Sequence, residues 1–210
     1  MDGGTSRSAR QFRIFLSLRL PRPVRYYNGI APFGPGGLRI AAKNKEVRMP
    51  IPAAVASAAE NYRFNSGFLA KMVGDLSPEE WLRRPDNRSN HIAWIVGHVI
   101  WARKQILARL GTEWSQPWLG SFARGMKCED AAAYPSSDAL LDAWREVSGV
   151  LASALDSVTE DALSQPVASG PPSADGKVSG VVNFLAIHET YHIGQASYLR
   201  GWLGHRGLMG

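Results

Sequence analysis

Apolar residues recur at three- and four-residue steps in four separate stretches of this chain, and each recurrence predicts one amphipathic helix. The first runs from Ala53 to Val73 on Val55, Ala58, Ala59, Tyr62, Leu69, Met72 and Val73, broken only where Asn65 and Ser66 fall on the same line. Phe64 and Phe68 lie to its side, and Gly74 stops it. Ser77 then precedes Pro78 at a first helical position with two acids behind it, which predicts a short helix through Leu82 ending near Pro85. A second long helix is expected from a cap at Ser89 or Asn90 to Leu110, where Gly111 follows. Its inward line reads His91, Trp94, Ile95, His98, Ala102 and Gln105, with Arg103, Lys104 and Arg109 mostly off it. The third, capped by Ser136 or Ser137, carries Leu140, Leu141, Trp144, Val147, Val150, Leu151 and Leu155 to about Ser157. The fourth spans about Ser179 to Leu203, with Val181, Phe184, Leu185, His188, His192, Gln195 and Leu199 on one face and Gly204 at its close.

Two connections separate these elements. Pro166 to Gly176 is a Pro/Gly/Ser-rich loop. Thr112 to Pro135 is longer and holds Trp114, Trp118 and Phe122, so it is expected to fold locally and cover one end of the helices. No window alternates with the period of a strand, which makes the class all-α, a four-helix bundle of the kind whose core often holds a metal. At 210 residues one domain is the default.

Composition changes this picture at one end. Residues 1–49 carry ten Lys or Arg against two acids, and residues 50–210 carry fourteen against sixteen, so the tail is +8 and the body −2. A body without net positive charge argues against a nucleic-acid partner for the bundle. The tail is expected to be a basic, poorly ordered extension or the product of a start set too far upstream, Met49 being a natural beginning. Its arginines also resemble those of an organelle transit peptide, while Phe12 to Leu20 is too short and interrupted for a membrane span. The bundle is thus expected over residues 50–210. The single cysteine, Cys128, forms no internal disulfide and fits a reducing cytoplasm.

The chemistry concentrates on histidine. His188 and His192, four apart on a helix, present both imidazoles to one side and can chelate one ion. Both share the apolar face of their helix, and His98 lies on the apolar face of another, so the three could cap one metal. Three nitrogen ligands leave a coordination position for water or substrate, the layout of a catalytic site, and imidazole suits zinc, nickel, iron or copper. Gln195, one turn beyond His192, stands where it can serve that site or the substrate. His188-Glu189-Thr190-Tyr191-His192 also matches the HExxH pattern of zinc proteases. Residues 193–210 contain no acidic third ligand, and Gln195 and Tyr198 stand where an extended motif needs glycine and histidine. Glu189 is therefore expected off the metal line, solvated or salt-bridged. His91 lies two turns from His98, too far to share an ion, and is read as a helix-start residue; His205 is read as a loop residue.

The run Asn90-His91-Ile92-Ala93-Trp94-Ile95-Val96-Gly97-His98-Val99, with His188 to Gln195 and Leu199-Arg200-Gly201-Trp202-Leu203-Gly204, resembles the DinB/YfiT-like superfamily over about residues 52–208. The resemblance implies an up-down-down-up bundle with the metal on His98, His188 and His192. Members with known activity look like thiol-dependent transferases, isomerases or hydrolases, and they often pair as homodimers. The expectation is thus a cytoplasmic, divalent-metal-dependent enzyme, with zinc or nickel ahead of iron. It would transfer a low-molecular-weight thiol to an electrophile in detoxification or stress, in a pocket roofed by Trp114 to Phe122. A metal-dependent hydrolase and a non-catalytic bundle with a structural or sensory metal are the alternatives. No membrane or nucleic-acid partner and no organic cofactor are expected.

Overall fold

The structure is a computed structural model that describes residues 50–129 and 134–209. The expectations for residues 1–49 lie outside it, as does 130–133 of the long connection.

Every regular element among the described residues is helical. The four long helices are α1 (Ala56–Val73), α2 (Ile92–Arg109), α3 (Ser137–Ser157) and α5 (Val178–Trp202), and a five-residue α4 (Glu160–Ser164) lies between the last two. Helix α4 has no expectation to answer; Thr159 caps it, its Oγ1 accepting from Ala162 N, and one turn suffices to bury Leu163. The expected short helix before Pro85 is a 3-10 turn at Glu80–Leu82. Ser77 and Glu80 cap each other there, Ser77 N donating to Glu80 Oε2 and Glu80 N to Ser77 Oγ.

Helix α2 starts later than its sequence suggests. Its N-cap is His91, whose Nδ1 accepts from Trp94 N at 3.0 Å. An imidazole lone pair here does the work expected of Ser89 or Asn90. Helix α3 is capped by Ser136, as one of the two expected serines. Helix α5 begins beneath Asp175. The Asp175 carboxylate accepts from Ser173 Oγ, Lys177 N, Ser179 Oγ and Gly180 N. A Cβ at position 180 would collide with that carboxylate and with Ser173, so glycine is what lets the cap close. These hydrogen bonds hold the Asp175 carboxyl down at about 2, Ser179 contributing most. Because its folded value lies below its unfolded one, the cap's stabilisation is present above about pH 4 and is lost as pH falls toward 2. Asp175→Ala is expected to lower the melting temperature at pH 7 and to leave it unchanged near pH 2. Equal losses at both pH values would mean that the side chain acts by packing.

Helices α1 and α2 each pack against both α3 and α5. The four thus enclose one apolar core in which Leu69, Met72, Ile95, Ile100, Ile106, Trp144, Leu151 and Val181 are sealed from solvent. With two neighbours to satisfy, α2 is buried from Ile92 through Ile100. Among the described residues no helix is long and apolar enough to cross a membrane.

One expectation about α2 is corrected by this packing. Arg103, placed off the inward line, is completely buried. Its Nε and Nη2 grip the two oxygens of Glu189 at 2.6 and 2.8 Å, Nη1 reaches Ser66 Oγ and Ser148 Oγ, and Nη2 also reaches the Tyr62 carbonyl. The guanidinium lies 3.7 Å from the Trp144 ring centroid. Asn65 Nδ2 donates to the same Glu189 carboxylate at 3.1 Å. All four long helices meet at this ion pair. The polar residues that interrupt the stripe of α1, Asn65 and Ser66, are its hydrogen-bond partners.

Candidate metal centre

Helix α2 brings His98 and helix α5 brings His188 and His192 to one place. The Nε2 atom of His188 lies 3.1 Å from that of His192 and 3.3 Å from that of His98. A tetrahedral ion bound to imidazoles at 2.0–2.1 Å spaces its ligand atoms about 3.3–3.4 Å apart, so these separations fit one ion held by three nitrogens. Among the described residues this is the group of histidines and acids placed to hold a metal.

The groups behind two of the rings set their tautomers. His98 Nδ1 donates to the Phe122 carbonyl at 2.7 Å, which leaves its Nε2 lone pair facing the other two. His192 Nδ1 donates to Gln195 Oε1 at 2.8 Å, with the same result. The Gln195 amide is itself oriented, its Nε2 donating to Tyr191 Oη at 3.0 Å. His188 Nδ1 is buried without a partner. Two inward lone pairs so close to a third nitrogen are repulsive unless a proton or a cation lies between them. A single N–H on His188 can satisfy only one of the two; a metal satisfies all three.

Electrostatics favour the neutral, metal-ready imidazole. Burial, reinforced by the neighbouring histidines, pushes His188 and His192 down to about 4. Burial also lowers His98, against a smaller upward pull from its bond to Phe122. Aromatic rings line the surroundings: Trp94 and Trp101 stack on the His98 imidazole with centroids at 4.7 and 5.5 Å, and Phe184 stacks on His188 at 6.2 Å.

The long connection meets the site, and its Cys128–Glu129 part reaches the N-terminal end of α2 at His91. Its Leu119–Phe122 turn packs on α2 beside His98, and the Phe122 ring lies where a Cβ of residue 97 would stand. Gly97 is therefore what allows the Phe122 carbonyl to approach His98. Gly97→Ala is expected to displace the turn at a cost of about 1–3 kcal/mol and to weaken metal binding, read by competition with a chromophoric chelator. Unchanged affinity would separate the turn from the site. Trp114 and Trp118 pack against the core, as does Phe122. The open groove of about 940 Å³ beside the site runs along the outer face of α5, past Tyr191 and Gln195, and those loop aromatics do not line it. The segment is occupied in buttressing α2.

The remaining sequence candidates sort cleanly. Gln195 orients His192 and also lines the groove beside it. Glu189 is salt-bridged, one of its two expected states, and buried. Both its oxygens are held by Arg103, so a protease-type general base is not available from it. His91 is a cap, its Nε2 bonded to the Glu129 carbonyl. His205 pairs with Glu80 at 2.8 Å, which ties the C-terminal segment to the Glu80–Leu82 turn. Cys128 is half-buried, its Sγ 3.9 Å from the Glu129 carbonyl. Sequence reasoning missed Phe122 and Tyr191 as supports of the triad, because a backbone carbonyl and an exposed phenol carry no pattern.

Comparison with curated proteins returned no match. The family model of the DinB superfamily matches residues 68–196, a span that holds all three histidines of the cluster together with Phe122, Tyr191 and Gln195. With more than half of its length under that match, the chain belongs to the DinB superfamily.

Proposed function

We propose that this chain is a divalent-metal-dependent enzyme that transfers a low-molecular-weight thiol to an electrophile, with His98, His188 and His192 as the ligands of one zinc or nickel ion. The observation that carries the reading is the convergence of three Nε2 atoms from two helices with no fourth protein donor among the described residues. Such a set leaves a coordination position for a small molecule, whereas structural zinc sites are closed by four protein ligands. An ion held there would lower the pKa of a thiol and keep the thiolate, the nucleophilic form, available at neutral pH. The protein's part is to hold the imidazoles. Phe122 and Gln195 fix two of them in the binding tautomer, and Trp94, Trp101 and Phe184 exclude water around them.

The up-down-down-up order is part of the same proposal. Contacts that run in step along α1 and α5 support it, Tyr62 meeting Val182 and Met72 meeting Arg200. Contacts that run in opposite senses along α1 and α3 support it too: Arg63 meets Asp156, and Ser66 meets Trp144. The Arg103–Glu189 centre already ties the four helices, which favours a catalytic over a structural role for the ion.

Incubation of the metal-loaded protein with 1-chloro-2,4-dinitrobenzene and a small thiol should consume both together. Chelation should abolish the reaction while costing little stability. Equal consumption of an ester without thiol would assign the hydrolytic variant, and chelation that unfolds the chain would assign a structural ion.

A further inference from the structure

The groove along the outer face of α5 has a chemistry of its own. Its walls include Ile95, Ile187 and Leu199, and two phenols, Tyr191 and Tyr198, stand in it largely exposed. Arg88 is the only charged residue that lines it among the described residues, and no acid does. The Arg88 guanidinium makes no hydrogen bond there; the nearby Asp86 carboxylate is taken up by Arg88 N, Ser89 N and Ser89 Oγ. Tyr191 Oη accepts from Gln195 Nε2, so its own proton is left to donate. Thr190, by contrast, donates inward to the Ala186 carbonyl. The polar side of the groove thus offers the Arg88 guanidinium, whose charge also acts on the Asp86 carboxylate, and the Tyr191 hydroxyl, set against aliphatic and aromatic walls.

We infer that this groove binds a small organic acid, an apolar or aromatic body carrying a carboxylate, as the substrate of the reaction proposed above. The carboxylate meets Arg88 and the Tyr191 hydroxyl, a charge-assisted pair of bonds, and the body lies on Ile187, Tyr198 and Leu199. The position matters because Tyr191 and Gln195 form the chain of hydrogen bonds that ends on His192. A ligand held by Tyr191 is therefore linked through Gln195 to His192, although none of the three histidines lines the groove itself. The inference rests on the proposed reaction for calling the acid a substrate, but its binding does not require turnover.

The test is calorimetric titration of the metal-loaded full-length protein, without thiol, with 2-naphthoate and with its neutral isostere 2-naphthamide. The acid is expected to bind at least about tenfold tighter than the amide, the worth of one or two hydrogen bonds to a charged group. Arg88→Ala, an exposed position whose loss leaves the fold intact by circular dichroism, should erase that preference, and Tyr191→Phe, compared at saturating metal, should reduce it. Equal binding of acid and amide, an unaltered preference in Arg88→Ala, or no binding of either overturns the inference. So does self-association through this face, relieved by Tyr198→Asp, which would give the groove to a second copy of the chain. A silent thiol assay with intact acid binding would fault the reaction and leave the site standing.

Discussion

Arg103→Ala is expected to destabilise the protein by about 3–5 kcal/mol, the cost of leaving a carboxylate buried without its counter-ion. Glu189 is 1% exposed and Arg103 is 0% exposed, so neither charge can reach water when the other is removed. The same substitution leaves Ser66 Oγ and Ser148 Oγ without a donor and takes one of two side-chain donors from the Tyr62 carbonyl, and it empties the space against the Trp144 ring. Glu189→Ala should cost a similar amount, since it strands the guanidinium instead. The double replacement Arg103→Met with Glu189→Met should recover most of the loss, because two apolar side chains need no partners. Urea denaturation of the four proteins measures this. A double variant as unstable as the sum of the singles would mean that the hydrogen bonds to Ser66, Ser148 and Asn65 matter more than the ion pair.

That centre also shows where the sequence stopped being legible. The helices were readable because each buries a stripe with a three- to four-residue period, and α3, with Ser136 before it and Ser157 at its end, keeps that rule throughout. Helix α2 does not. It is buried on most of its circumference between α3 and α5, so sorting its residues into one inward line put Arg103 outside. The clue was distributed: Asn65 and Ser66 on the stripe of α1, Ser148 one turn after Trp144, and an acid beside His188. No local period joins polar residues on four helices. The histidines were legible because a four-residue repeat on an apolar face has few other uses, and His98 completes them only once α2 and α5 are packed together. The supports behind them were partly hidden. Gln195 could be proposed from its spacing, but the Phe122 carbonyl, which any residue could supply, could not.

His188→Ala is expected to abolish stoichiometric metal binding, and elemental analysis of the purified protein should fall from about one ion per chain to none. Two donors four residues or two helices apart still chelate weakly, so reloading at high metal concentration distinguishes lowered affinity from a missing site. Gln195→Leu should keep the ion but weaken it by about 10–100-fold, the usual consequence of freeing a ligand histidine from the group that orients it. The pH dependence gives a sharper signature. Imidazole binds metal only when neutral, and an ordinary histidine loses metal to protons below about pH 6.5. His188 and His192 are held at about 4 by burial and then by neighbouring histidines, His98 acting on both and His188 on His192, so without metal they remain neutral well below the usual range. Metal affinity should therefore stay level from pH 7.5 to about pH 5 and fall only below it. A decline that begins at pH 6.5 would mean that the three rings are hydrated and separate before the ion arrives, and that the metal itself assembles the site.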